Sequence, residues 1–288
     1  MPIFLPWTNF KCILSIATLA IANLPSRPIL AQASSSIPIA HAHNDYEHER
    51  PLHDALQAGF TSVEADVYLV DNELLVAHDR RDTSPGRSLE SLYLNPLRQH
   101  FSKRADHSPH KTFWLMIDVK SDATATHRKI QSVLKMYPDL VAKIQNSRTQ
   151  QVNSQATPDS QAPPVRVVIS GNRAKEDILQ SQPRLSGIDG RLSDLQSALS
   201  SEAMPWISDN WRSHFRWRGQ NEFPQEERKK LRRYVKQVHE DGRLLRFWAT
   251  PDSPALWDEL LDAKVDLINA DDLSGLQSHL QKRAQQQN

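Results

Sequence analysis

Glu64 and Asp66 lie two residues apart in SVEADVYLV, a run with strand-like alternation, so both side chains leave the same face. Two carboxylates held side by side repel unless a cation sits between them; the alternative is a salt-bridged pair at a strand end. The apolar run FWLMI ends in Asp118 and Lys120, again two apart. Glu64, Asp66 and Asp118 together make an all-oxygen donor set suited to a hard divalent cation, Mg²⁺ or Ca²⁺. Five of the twelve histidines lie from His41 to His78. His41 follows IPIA and His78 follows ELLVA, so each ends a strand-like run. Two histidines converging beside carboxylates can serve as general acid and base, whereas a lone histidine is more often a structural hydrogen-bonder. We assign His41 as base and His78 as acid. His43 shares a face with His41, but it reads, with His48 and His53, as a loop or helix residue. Ser170, Asn172 and Arg173 follow the run VRVVIS and place polar groups at a strand end, with Arg173 a substrate contact; SGN reads equally as a turn before a helix.

The elements that must position these groups are legible as alternation along the chain. Strand patterns begin at Ile37 (IPIAHA), Ser62 (SVEADVYLV), Phe113 (FWLMIDV), Val165 (VRVVIS), Leu185 (LSGIDG), Pro205 (PWIS), Leu244 (LLRFWA) and Val265 (VDLIN). Helical spacing between them is clearest over 126–141, 224–240 and 253–261. Strand and helix in turn predict a parallel sheet with crossover helices, and eight strands are the number a closed (β/α)8 barrel needs. In that fold the loops after the strands converge on one rim, where an apolar strand ending in charges belongs. The segment 145–164, QNSRTQQVNSQATPDSQAPP, has almost no large apolar residues and reads as a disordered insertion in one domain spanning 34–288.

The motifs IAHAHNDY, LQAGFTSVEADVYL, ELLVAHD and MIDVK, in that order, resemble those of glycerophosphodiester phosphodiesterases and the wider phospholipase-like (PI-PLC-like) superfamily. More narrowly, HAHNDY, EADVYL, ISGNR and GIDGRL are similar to the family of altered inheritance of mitochondria protein 6. The resemblance runs from about Ile37 to Leu276. It implies a TIM-type barrel and a metal-dependent phosphoric diester hydrolase, with His41 and His78 catalytic and Glu64, Asp66 and Asp118 on the metal. It also implies Lys120 facing phosphate and Trp248 facing the substrate region, Trp248 being equally at home in a core. The resemblance implies a glycerophosphodiesterase- or phospholipase-like hydrolase, with two departures: where the glycerophosphodiester enzymes have His-Arg-Gly this chain has His41-Ala42-His43, and Asp118 replaces their glutamate, so the resemblance does not by itself imply their headgroup preference. His41-x-x-Asn44 and Asp118-x-Lys120 are similar to sphingomyelinase D enzymes, which adds Asn44 as a substrate contact.

Charge narrows the partners. Lys+Arg number 35 against Asp+Glu 34, so no global field favours nucleic acid or an anionic membrane. The expected ligand is a phosphodiester, as a small molecule or a lipid headgroup with transient membrane contact, and the protein is expected to be a monomer in lipid metabolism. Lys11, the apolar run from Cys12 to Leu24 and the small-residue site Ala31-Gln32-Ala33 read as a signal peptide over 1–33 and thus export to periplasm or medium; an uncleaved anchor is the alternative. Cys12 is the one cysteine, so the mature chain has no thiol for catalysis or for zinc. WRSHFRWRG, from Trp211, reads either as a lipid-facing or phosphate-facing patch or as a packed lid. Two further readings compete: a zinc amidohydrolase-like or other phosphoesterase barrel, since His41-Ala42-His43 resembles a paired-histidine start, and a non-catalytic phosphate-binding barrel.

Overall fold

The computed structural model describes Met1 and residues 39–103, 112–144 and 163–286. The expected leader, apart from Met1, and residues 145–162 of the expected insertion lie outside the described residues. The described strands are β1 (Ile39–Ala42), β2 (Ser62–Val70), β3 (Glu73–Val76), β4 (Phe113–Val119), β5 (Val165–Gly171), β6 (Ser186–Gly190), β7 (Trp206–Asn210), β8 (Leu244–Trp248) and β9 (Leu267–Ala270). The helices are α1 (His53–Gln57), α2 (Asn95–Ser102), α3 (Ala123–Leu134), α4 (Lys175–Gln180), α5 (Trp211–His214), α6 (Gln225–Glu240), α7 (Pro254–Ala263) and α8 (Leu273–Gln286).

All eight expected strands form. They pair in parallel in the order β1-β9-β8-β7-β6-β5-β4-β2, and β1 pairs with β2 to close the ring. The described residues from Ile39 onward thus make one closed (β/α)8 barrel. β3 stands outside it as an antiparallel partner of the far half of β2, from Val67 opposite Val76 to Val70 opposite Glu73. ELLVA is therefore a hairpin return and not a barrel strand. Glu64 and Asp66 accordingly sit in the middle of β2, with Asp66 near the end of the stretch that pairs with β4.

Helix bounds shift where local chemistry overrides periodicity. α3 starts at Ala123, earlier than expected, because the Asp122 side chain caps it by accepting from Ala125 N (2.8 Å), and it ends at Leu134, short of Pro138. α7 is likewise capped by Ser253, which accepts from Leu256 N at 3.2 Å.

Strand alternation sorts the core into two apolar bodies. One fills the space between strands and helices; the other, Trp114, Met116, Val168, Trp206 and Leu267, plugs the barrel interior. Polar side chains occupy the interior above that plug.

Candidate active site

The strand register stacks the interior in levels. Glu64, Met116 and Val168 share one level, and Asp66, Asp118 and Ser170 share the next toward the strand ends. One oxygen from each of Glu64, Asp66 and Asp118 lies within 4.8 Å of the others, the one such group among the described residues. Glu64 and Asp66 are buried. Lys120 reaches in from the rim, its Nζ 3.1 Å from Asp66 Oδ2 and 3.2 Å from Asp118 Oδ1. Burial and the charge of Glu64 push Asp66 up to about 7, despite Lys120. Asp118 is raised for the same reasons. Burial opposes the charge on Lys120, but Asp118 and Asp66 more than offset it and hold the ammonium above its usual value.

These residues fit a divalent cation. The donors are all oxygens, Asp66 Oδ1 is buried with no hydrogen-bond partner, and the raised Asp66 marks negative charge that the protein's own cations leave uncompensated. Backbone geometry makes room for the group: Gly171 has φ +65°, and a Cβ there would come 2.1 Å from Asp118 Oδ1. Only glycine lets β5 pass so close to that carboxylate.

Beneath this level lies a buried ion pair that the sequence reading missed. Arg246 on β8 donates to Glu64 Oε2 (2.6 Å) and, through Nε and Nη2, to Asn269 Oδ1 (3.0 and 2.6 Å). Burial disfavours the Glu64 carboxylate, but Arg246 and His41 outweigh that and hold it well below the usual range. His41 is fully buried, with Nδ1 2.7 Å from Ser62 Oγ and Nε2 3.4 Å from Glu64 Oε2. Burial, reinforced by Arg246, lowers His41 to about 3, so the imidazole is neutral. The alternation of LLRFWA does place Arg246 on the face of Leu244 and Trp248, and that was the available signal.

His78 arrives from the hairpin. Ala77 N donates to Asp66 O (3.2 Å), which brings His78 Nδ1 to 3.7 Å from Asp66 Oδ2. Between them stands buried Tyr46, whose hydroxyl is 2.7 Å from Asp66 Oδ2, 2.9 Å from Asn44 Oδ1 and 3.1 Å from His78 Nδ1. The hydroxyl has one proton; donating it to Asp66 leaves a lone pair for a His78 Nδ1–H. Asn44, in the left-handed region at φ 46°, is thus brought to the same cluster.

The other expected residues are spread round the rim. Arg173 lies over β6 and donates through Nη1 to the Asp189 carbonyl. Ser170 is no mere turn residue: its Oγ donates to buried Asp189 Oδ2 (2.9 Å), which also takes Arg191 Nη1 (2.8 Å). Trp248 ends β8 at 37% exposed, so it is not core. His43, read as an ordinary loop residue, pairs through Nδ1 with Asp271 Oδ1 at 2.7 Å; burial lowers its pKa, but Asp271 and Glu64 leave it raised. WRSHFRWRG packs inward: Trp211 stacks on Phe215, and both meet Phe223 and Phe247. Its lipid-facing reading is corrected, since Trp211, Phe215 and Trp217 are buried. For zinc, the described histidines after His78 all lie in helices α2, α3, α5, α6 and α8, and none joins the carboxylate group; His214, which closes α5 just after β7, pairs instead with Asp209 at 3.2 Å.

The AIM6-like phosphodiesterase domain matches residues 32–184, and the glycerophosphoryl diester phosphodiesterase family matches 245–274. The altered inheritance of mitochondria protein 6 homolog of Arthroderma benhamiae is 28% identical over 277 residues, covering 84% of this chain and 83% of that protein. The altered inheritance of mitochondria protein 6 of Eremothecium gossypii is 29% identical over 297 residues, covering 88% of this chain and 72% of that one. A solved glycerophosphodiester phosphodiesterase from Parabacteroides distasonis superposes with TM-score 0.50 at 19% identity, over 85% of this chain and 98% of its own. At that identity the likeness speaks for the fold alone.

Proposed function

Since this chain belongs to the AIM6-like phosphodiesterase domain family, we propose that it hydrolyses phosphodiesters with the help of a divalent cation held by Glu64, Asp66 and Asp118. The observation that carries this reading is the carboxylate triad, with Asp66 Oδ1 buried and unpartnered, between a lysine and two histidines. Attack on a phosphodiester builds negative charge on the phosphoryl oxygens, and a bound cation supplies the positive charge that offsets it.

The remaining work falls to side chains. Lys120, drawn inward from the rim by two aspartates, lends a second positive charge to the phosphoryl oxygens. His41, kept neutral by burial and Arg246, is the base for the proton of the attacking hydroxyl, from water or from the substrate itself; to take it, Nε2 must turn from Glu64 Oε2, 3.4 Å away. His78, 58% exposed at the mouth, can hand a proton to the leaving alkoxide, which departs to solvent. Tyr46 fixes the ring of His78 through Nδ1, leaving Nε2 for that transfer. Arg246, itself fixed by Asn269, holds Glu64 from below.

The test is hydrolysis of bis(p-nitrophenyl) phosphate with Mg²⁺, with Ca²⁺ and with chelator. We expect turnover that needs a cation, is lost in Asp66→Asn, and drops by roughly 10² or more in His78→Gln while cation binding persists. Turnover that survives both chelation and Asp66→Asn would sink the proposal. Tight cation binding with no turnover of any diester would favour the non-catalytic barrel. A transient cyclic phosphate would mark attack by a substrate hydroxyl, and a linear monoester throughout would mark attack by water.

A further inference from the structure

An open cleft of about 750 Å³ lies between the β4–α3 and β5–α4 connections, lined by Lys120, Ser121, Asn172, Arg173 and Lys175. Its walls are tied together: Asn172 N donates to Val119 O (2.8 Å) and Asn172 Nδ2 to Ser121 O (2.9 Å). Lys120 belongs to both the cleft and the carboxylate group, so the cleft opens onto the proposed cation site.

The charge here is unbalanced at one residue. Lys175 pairs with Asp194 (3.0 Å), and Arg191 pairs with Asp189 (2.8 Å). Asp122, a charged acid on the cleft wall, is turned to the first turn of α3, where it caps the helix through Ala125 N. Arg173 has no carboxylate partner among the described residues, and of its five N–H donors one is used, on the Asp189 carbonyl. That bond fixes the guanidinium over β6; burial and nearby Arg191 work against its charge and outweigh the pull of Asp189, Asp194 and Asp118, none of whose carboxylates bonds to it directly. A half-buried guanidinium with spare donors, flanked by Lys175, is matched by an anion with several acceptor oxygens.

We propose that this cleft binds a second phosphoryl group carried by the substrate. This rests on the phosphodiesterase reading and narrows it: the substrate class is a phosphodiester that also bears a phosphomonoester. The cut diester must lie at the carboxylates of β2 and β4, whereas the Arg173 guanidinium is tied to the Asp189 carbonyl on β6.

Two measurements test this on the full chain. In the first, inorganic phosphate is titrated calorimetrically into protein held in chelator, for the unaltered chain, Arg173→Gln and Lys175→Gln. We expect binding that weakens roughly tenfold in Arg173→Gln and several-fold in Lys175→Gln, with thermal transitions close to that of the unaltered chain. No binding, or equal binding in Arg173→Gln, overturns the subsite, whether or not any diester is cut. In the second, glycerophosphoglycerol is compared with its phosphate-terminated counterpart, each free in solution and as the diacyl lipid in vesicles. We expect KM about tenfold lower for the phosphate-bearing member, and collapse of that ratio in Arg173→Gln. Equal KM values overturn the second phosphoryl group. A larger ratio in vesicles identifies a lipid headgroup, and a larger one in solution a free metabolite. If phosphate binds through Arg173 but none of the four diesters is cut, the parent reading fails and the substrate assignment falls with it.

Discussion

Arg246 and Glu64 are two opposite charges at the bottom of the site, 3% and 6% exposed at the side chain and 182 positions apart in sequence. Removing one leaves the other buried and uncompensated. Arg246→Met should cost about 3–5 kcal/mol in urea unfolding, and adding Glu64→Gln should recover part of that loss. At the level above, Asp66 titrates near 7 in the cation-free protein against 3.8 when unfolded. Between those values the folded chain holds a proton that the unfolded chain has released, so stability falls as pH rises through the window and levels off above it. A cation must displace the same proton. Its affinity, measured by calorimetry, should therefore weaken by about tenfold per pH unit below 7 and lose that slope in Asp66→Asn. The carboxylates and both histidines were legible in sequence because they share short motifs. Arg246 was not, because its partner arrives only when distant strands close, and the same holds for Tyr46, which meets Asp66 and His78 only in the fold.

Elements place these residues through local devices. The β2–β3 hairpin carries His78 back to Asp66, so the second histidine depends on a turn outside the barrel. Gly171 shows how close the neighbouring strand runs. Gly171→Ala should cost about 1–2 kcal/mol for its left-handed backbone alone, and the clash with Asp118 should weaken cation binding by at least about tenfold. Gly59→Ala is the control: φ is +79° with nothing within 4 Å of the new Cβ, so it should lose similar stability yet bind cation normally. Urea unfolding and calorimetry on both proteins check this. Strand positions were readable from hydrophobic runs bounded by charge. The antiparallel sense of β3 was not, because pairing direction depends on the turn at Asp71-Asn72, where both residues have positive φ.

For the whole molecule, eight strand patterns sufficed to read the barrel, since helices between strands leave few other ways to bury both faces of a sheet. What sequence alone could not supply was the interior layering, an apolar plug below and charge above, because it depends on the stagger between strands. Closure rests on β1 pairing with β9 and β2. A chain ended after Glu240 loses β8 and β9, and should show no cooperative unfolding transition by circular dichroism and bind no divalent cation. The same closure has a temporal side. Arg246 follows Glu64 by 182 residues, roughly 10–40 s of ribosomal synthesis. Through that interval the growing chain carries its acids without their counter-charge and must keep them wet. The last strands to emerge therefore complete the ion pair beneath the carboxylates, and that arrangement exists only once β8 has joined the barrel.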